Sequence, residues 1–281
     1  MIALLHGLAN RLKQLFIRSP KHDYRWQAHW SDFLFNNVGF YKVLSDDDKK
    51  LFEQRCLLFI NTTRIEAGAF EVSDEDRLLV AASAIIPVWG FPKWHYFNLE
   101  AVFLLPASFN EKFECGQANS TIAGMVGNGP MLGKMALSRQ HLHLGYQNSK
   151  DKSNVGIHEF VHLLDMADGT CDGISTPLHQ FEPSVLWFDF IEHKINEIDT
   201  GDSNIPAYGA TNRQEFFAVA SEYFFERPKM LQRKHPELFE KLTRFYQQNV
   251  LDIESDVKIR AKSPCPCNSG KRYKRCCMPN D

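Results

Sequence analysis

No stretch of the 281-residue chain holds the roughly 18 consecutive apolar residues that a membrane helix needs. A membrane-spanning helix, and with it a membrane partner, is therefore not expected. A secretory signal is missing as well. The opening residues, MIALLHGLANRLKQLF, place Ile2, Leu4, Leu5, Leu8, Leu12, Leu15 and Phe16 at helical spacing. His6, Asn10, Arg11 and Lys13 break that run, and it has no basic flank before an unbroken apolar core and no small-residue cleavage site. A cytoplasmic protein is expected. Charge of one sign is not in surplus: 32 Lys and Arg stand against 34 Asp and Glu, for a formal net charge of −2. Overall charge gives no reason to expect nucleic acid or anionic lipid as the main partner. Cysteines are few and odd in number, seven in all, and Cys265, Cys267, Cys276 and Cys277 crowd into the tail. That distribution excludes a disulfide framework and points to a metal site in a reducing compartment, with Cys56, Cys115 and Cys171 as unpaired thiols in or near the core.

What is present suffices for a sizeable core. A hydrophobic content of 44% with 12% aromatics suits one large domain, or a domain with an appendage. Residues 22–40 are rich in aromatics. Ser45 before three aspartates caps a helix running through residues 45–65, and Ser73 before Asp74, Glu75 and Asp76 caps a second, ended by Pro87 and Gly90. Residues 98–109 and 133–145 read as strands of a small sheet. Helices follow at residues 154–166, 184–199, 211–226 and 235–250. Apolar periodicity stops near residue 255, where basic residues take over. The reading is a domain over 1–254, a linker over 255–262 and a tail module over 263–281. The class is α+β, mainly helical, and the chain shows no internal repeat.

The chemistry is densest in VGIHEFVHLLD, residues 155–165. His158 and His162 are four apart, so on a helix both imidazoles leave one face, about 6 Å apart along the axis. That spacing closes two edges of a tetrahedral zinc site. Glu159, one residue after the first histidine, is placed to reach water at the metal rather than the metal itself, as a general base. The competing view is a core helix that happens to carry polar groups. An unpaired glutamate among Ile157, Phe160, Val161, Leu163 and Leu164 would be costly to bury, and a metal site removes that objection.

A third ligand is required. Asp165 and Asp168 stand where a metzincin would need glycine and histidine. Asp172, in GTCDG, is an aspartate route. A glutamate on a downstream helix is the gluzincin route, and RQEFFAVASEYFFERP supplies Glu215 and Glu222, seven apart on one face and flanked by apolar residues. Glu215 is the expected ligand and Glu222 the expected partner of a metal-bound histidine. Tyr208, in the loop just upstream, is a phenol donor that could stabilise an oxyanion.

NVGIHEFVHLLD and AYGATNRQEFFAVASEYFFERP, and more loosely EVSDEDRLLVAASAIIPVWG, VFLLPASF and ALSRQHLHLG, resemble the Mlc titration factor A family of bacterial gluzincin-like zinc peptidases, over residues 45–250. The resemblance implies His158, His162 and Glu215 as ligands of a catalytic Zn2+, Glu159 as base and Tyr208 as its assistant. It also implies a peptide substrate and aminopeptidase-type activity. Val161 stands where the family usually has alanine, and TNRQE replaces a more acidic stretch. Binding of a repressor, known for the family's namesake, does not carry over on these residues. A regulator that binds a transcription factor or another protein, with weak or no hydrolysis, is the alternative function.

In the tail, PCPCNSGKRYKRCC gives C-x-C, eight residues, then C-C. Four thiolates so spaced form a closed tetrahedral zinc site, with no open position for catalysis, that folds a segment too short for a core. The stretch closely resembles the SEC-C motif. That resemblance implies a second, structural Zn2+ on Cys265, Cys267, Cys276 and Cys277 and a protein-docking role, with RNA or the ribosome as the other candidate partner of the basic residues around Tyr273.

Overall fold

A computed structural model describes residues 23–127, 131–147, 152–173, 184–251, 253, 271, 272 and 275. The apolar periodicity of residues 1–16, the linker and the four tail cysteines lie outside the described residues. Helices α1 (Ala28–Asn37) and α2 (Gly39–Lys42) carry the aromatic segment, burying Trp30, Leu34 and Tyr41. Helix α3 (Asp46–Thr62) starts where Ser45 accepts from the Asp48 amide. Instead of running on to residue 65, it gives way to strand β1 (Arg64–Ala67). Thr62, Thr63 and Ile65 are β-branched and favour the extended form once the helix has lost its buried face.

Helix α4 (Asp74–Ile85) opens with a reciprocal capping box between Ser73 and Asp76. The fully buried Asp76 also accepts from Arg139 Nε and pairs with His143 Nε2, both at 2.7 Å. These contacts hold its carboxyl below the ordinary range against the opposing effect of burial. This acid is structural: it ties the start of α4 to a later helix.

Strands β2 (Ala101–Leu105), β3 (Gly124–Val126) and β4 (Lys134–Ser138) join β1 in a four-stranded sheet of order β1-β2-β4-β3. β1, β2 and β4 are parallel, and β3 runs antiparallel along β4, with Gly124 opposite Leu137 and Val126 opposite Met135. The segment between residues 110 and 132 thus contains a strand that its composition does not announce. The strand expected over 133–145 stops at Ser138, and helix α5 (Arg139–Gln147) follows. The alternation in RQHLHL imitates a strand. Leu142 and Tyr146, however, are four apart and both turn inward, and Ser138 Oγ accepts from the His141 amide at 3.3 Å, as an N-cap does.

The remaining helices are α6 (Val155–Asp165), α7 (Ser184–Asp199), α8 (Arg213–Glu226), α9 (Pro228–Lys234) and α10 (Pro236–Tyr246). Proline at the first helical position starts both α9 and α10, where its missing N–H costs nothing. α6 lies against α4 at Gly156, where an added Cβ would stand 2.1 Å from Ser83 Oγ. α8 packs on α6 from the other side, and an aromatic cluster of Phe217, Phe224, Phe245 and Tyr246 locks it to α10. Each such ring contributes about 1.5–3 kcal/mol on burial, so α6 is held rigidly between two packed helices. Among the described residues no helix is long and apolar enough to cross a membrane.

Candidate metal centre

Two N-caps aim the polar groups. Asn154 begins α6, its side chain accepting from the Ile157 amide at 3.1 Å, and Asn212 begins α8, accepting from the Glu215 amide at 2.8 Å. Glu215 is therefore fixed in the first turn of α8, facing the histidine face of α6. His158 Nε2 and His162 Nε2 stand 3.1 Å apart, and Glu215 Oε2 is 3.0 Å from the first and 3.5 Å from the second. Ligand atoms placed about 2.0–2.1 Å from a tetrahedral zinc ion would be about 3.4 Å from one another. The three donors therefore fit a zinc ion. Among the described residues they form the one group of three or more such side chains that converges closely enough to hold a metal. Asp172 is not part of it.

Behind the donors, His158 Nδ1 lies 2.7 Å from Glu222 Oε1, and the second oxygen of Glu222 accepts from the backbone amide of Asn154. A carboxylate at Nδ1 fixes the tautomer that leaves Nε2 free to bind a metal. Glu222 thus joins the cap of α6 to its first histidine. Burial opposes charge on His158, but the carboxylates of Glu222 and Glu215 outweigh it and hold the imidazole well above the ordinary histidine range. Burial likewise opposes ionisation of Glu215, and hydrogen bonds from the two histidines overcome it, bringing the carboxyl down to about 2.

Glu159 differs from both. It is only 5% exposed and makes no hydrogen bond to any described residue. Burial pushes its pKa up, against the pull of the two histidines. A buried, unpaired carboxylate is poorly suited to a structural task and well suited to taking up a proton. Strand β3 closes over it: an added Cβ at Gly124 would lie 2.6 Å from Glu159 Oε1. Glycine is what lets the strand pass there.

A cleft of about 420 Å³ opens onto these groups, walled by Gly124, Met125 and Val126 of β3 on one side and by Tyr208 and Gln214 on another. Tyr208 sits in a short 3-10 turn, Ala207–Ala210, with its ring centroid 6.0 Å from that of His158 and 57% of the residue exposed. Burial, and then the Glu215 charge, raise its pKa, so the phenol keeps its proton as a donor.

The sequence gives little sign of the β3 wall, or of Asp165. That aspartate is fully buried at the end of α6, and its Oδ2 accepts from the Gly173 amide at 2.9 Å and from the Cys171 thiol at 3.4 Å. It draws the loop after α6 back beneath the cleft, where Cys171 joins the lining. Gly173, at φ +83°, passes within 2.8 Å of the Arg213 carbonyl, measured from where a Cβ would stand. Only glycine suits both demands. The only signal was an acid at the end of an apolar helix with a glycine eight residues on.

The model of a family described as glucose-regulated metallo-peptidase M90 matches residues 14–247, and that of the SEC-C motif matches residues 262–279. An uncharacterized protein of Synechocystis is 28% identical over 254 residues, which cover 86% of this chain and 89% of the relative. Proteins called Mlc titration factor A, from Yersinia pestis and Yersinia pseudotuberculosis, are 35% identical over 113 residues, 37% of this chain and 42% of their own length.

Proposed function

The chain belongs to the glucose-regulated metallo-peptidase M90 family, and from that premise we propose that it is a zinc-dependent peptidase with gluzincin-like chemistry and aminopeptidase-type action on peptides. The observation that carries this reading is the convergence of His158 Nε2, His162 Nε2 and Glu215 Oε2 on one point beside an unpaired, buried Glu159. In this proposal His158, His162 and Glu215 hold the ion. When bound, zinc supplies Lewis acidity that polarises the scissile carbonyl and acidifies water.

The chain's own groups do the rest. Glu159, with its raised pKa, removes the proton from the attacking water and delivers it to the departing amine. Glu222 keeps Nδ1 of His158 protonated and its ring aimed. The Tyr208 phenol donates toward the oxyanion of the tetrahedral species from the cleft wall. The edge of β3 bounds the cleft on the side of Glu159 and keeps water from crowding the base. The SEC-C match supports a second, structural zinc on Cys265, Cys267, Cys276 and Cys277 and a protein partner for the tail.

A second reading rests on the name of the Yersinia relatives, titration factor, which describes sequestering another protein. In that reading the zinc domain serves mainly to bind a regulator and hydrolysis is weak. The retained Glu159 favours catalysis, since a docking scaffold has no need of a buried unpaired acid. Aminoacyl anilides and peptides separate the two: we expect hydrolysis that a chelator abolishes and that Glu159→Gln reduces by about 10²–10⁴-fold. Hydrolysis surviving both treatments would exclude this chemistry, and no hydrolysis by the zinc-loaded protein would favour the second reading.

A further inference from the structure

A second cavity, of about 480 Å³, shares no lining residue with the metal cleft. It lies on the far side of the metal helix. Phe160, two residues from each histidine, points away from them on α6, and its ring packs against Phe59 and Tyr96 with centroids 5.6 and 5.0 Å away. Phe59 and Tyr96 both line the second cavity. Most of the remaining lining is apolar, broken by Thr62, Thr63, His95 and two cationic side chains, and Leu58 and Phe97 stand at its mouth with 63% and 52% of their surface exposed. The volume and the apolar lining with few polar groups are those of a small-molecule site.

The charged groups define what would fill it. Arg55 and Lys93 line the cavity, and no acidic residue does. The half-buried Arg55 directs its guanidinium at the backbone carbonyls of Val88, Trp89 and Phe91, at 2.7–3.2 Å, and lies over the Trp89 ring. Neither Arg55 nor Lys93 has a carboxylate partner among the described residues. Carbonyls solvate a guanidinium but leave its charge uncompensated, and a cation sunk in an apolar wall favours an anion.

We propose that this cavity is a second ligand site that takes a small amphipathic organic anion, a carboxylate whose aliphatic or aromatic body lies between Leu58, Phe59 and Phe97 while its charge meets Arg55 and Lys93. The apolar wall supplies most of the binding and the cations select a carboxylate over its neutral counterpart.

The test uses the zinc-loaded full-length protein, repeated with Glu215→Ala so that any carboxylate bound at the metal centre is recognised by its loss. Anilinonaphthalene sulfonate serves as the fluorescent probe, displaced by decanoate or by decanol. The expected result is one saturable probe site per chain, displaced by decanoate at a concentration about tenfold or more below that of decanol. Lys93→Glu and Arg55→Met each raise the decanoate requirement about tenfold and leave decanol unchanged. Equal potency of acid and alcohol, non-saturable probe binding, or Lys93→Glu behaving as the parent protein would overturn the assignment. Lys93 is exposed, so its variant keeps the test decisive should Arg55→Met fail to fold.

Discussion

Removing Glu222 and removing Glu215 should weaken zinc binding to different degrees. Glu222 accepts from the buried amide of Asn154 and from His158 Nδ1. Its loss in Glu222→Ala strands two nearly buried donors, at about 1–3 kcal/mol each. A total of about 3 kcal/mol corresponds to a fall of roughly 6–12 °C in melting temperature for a domain of this size. Zinc would still find its three donors, held less firmly, so affinity falls by about 10–100-fold. Glu215→Ala removes a donor atom itself, and affinity should fall by more than about 100-fold, beyond the range for an outer partner. It leaves the Glu215 amide capped by Asn212 but takes the shared carboxylate away from His158 and His162, so the metal-free protein should lose stability as well, by about 1–3 kcal/mol. Zinc retained at matched free zinc ranks the two variants, and thermal unfolding in chelator checks the loss expected of Glu222→Ala. The tail's zinc contributes equally to all variants. If Glu222→Ala lost zinc more steeply than Glu215→Ala, or left metal-free melting unchanged, the assignment of inner and outer carboxylates would be wrong.

Gly124→Ala should lower kcat by about tenfold or more with zinc content intact, because the new Cβ takes the space of the Glu159 carboxylate; unchanged kcat with a normal pH profile would show that β3 does not set the base. Asp165 provides a pH test. Burial raises its carboxyl to about 6 from 3.8, so the native state holds the proton more tightly than the unfolded chain, and stability present below pH 3.8 is lost as pH rises through 6. In chelator, Asp165→Asn should remove a decline of about 3 kcal/mol between pH 3.8 and 7; a parallel decline in the variant would place that loss elsewhere. Finally, metal analysis of the full chain should find about two zinc ions, and Cys265→Ser with Cys267→Ser about one; a full-chain value near one removes one of the two sites.

The parts of the fold legible in the sequence are those specified within a few residues. Ser45 and Ser73 announce helices because a cap and its acidic first turn are contiguous. HEFVH reads as a metal helix because an i, i+4 pair is set by helix geometry alone. Glu215 was legible because aromatic and apolar neighbours on both sides left it nowhere else to face. What escaped is specified across the chain. β3 is three residues long and exists through its pairing with Leu137, Ala136 and Met135, which no local pattern encodes. RQHLHL satisfies two periodicities, and a contact 63 residues away, Tyr146 with Ser83, goes with the helical one. Asp165 and Gly173 matter through each other and through the start of α8, so neither stands out alone.

Charge explains why an apolar helix carries these groups at all. Glu159, Glu215 and Glu222 set three carboxylates around two imidazoles, with little solvent to screen them. Burying such charge is costly unless it is balanced. In the protein without metal, a proton on His158 supplies part of the balance, which is what its raised pKa expresses. A histidine must give up that proton at Nε2 to lend its lone pair, so a dication and the proton compete for one position. The dication is the better occupant. It brings two charges where the proton brings one, and it meets three donors at once, whereas hydrogen bonding leaves the two Nε2 atoms facing each other at 3.1 Å. Glu159 is the carboxylate of this cluster whose side chain has no hydrogen-bond partner among the described residues, which is the state the proposed role as a base requires.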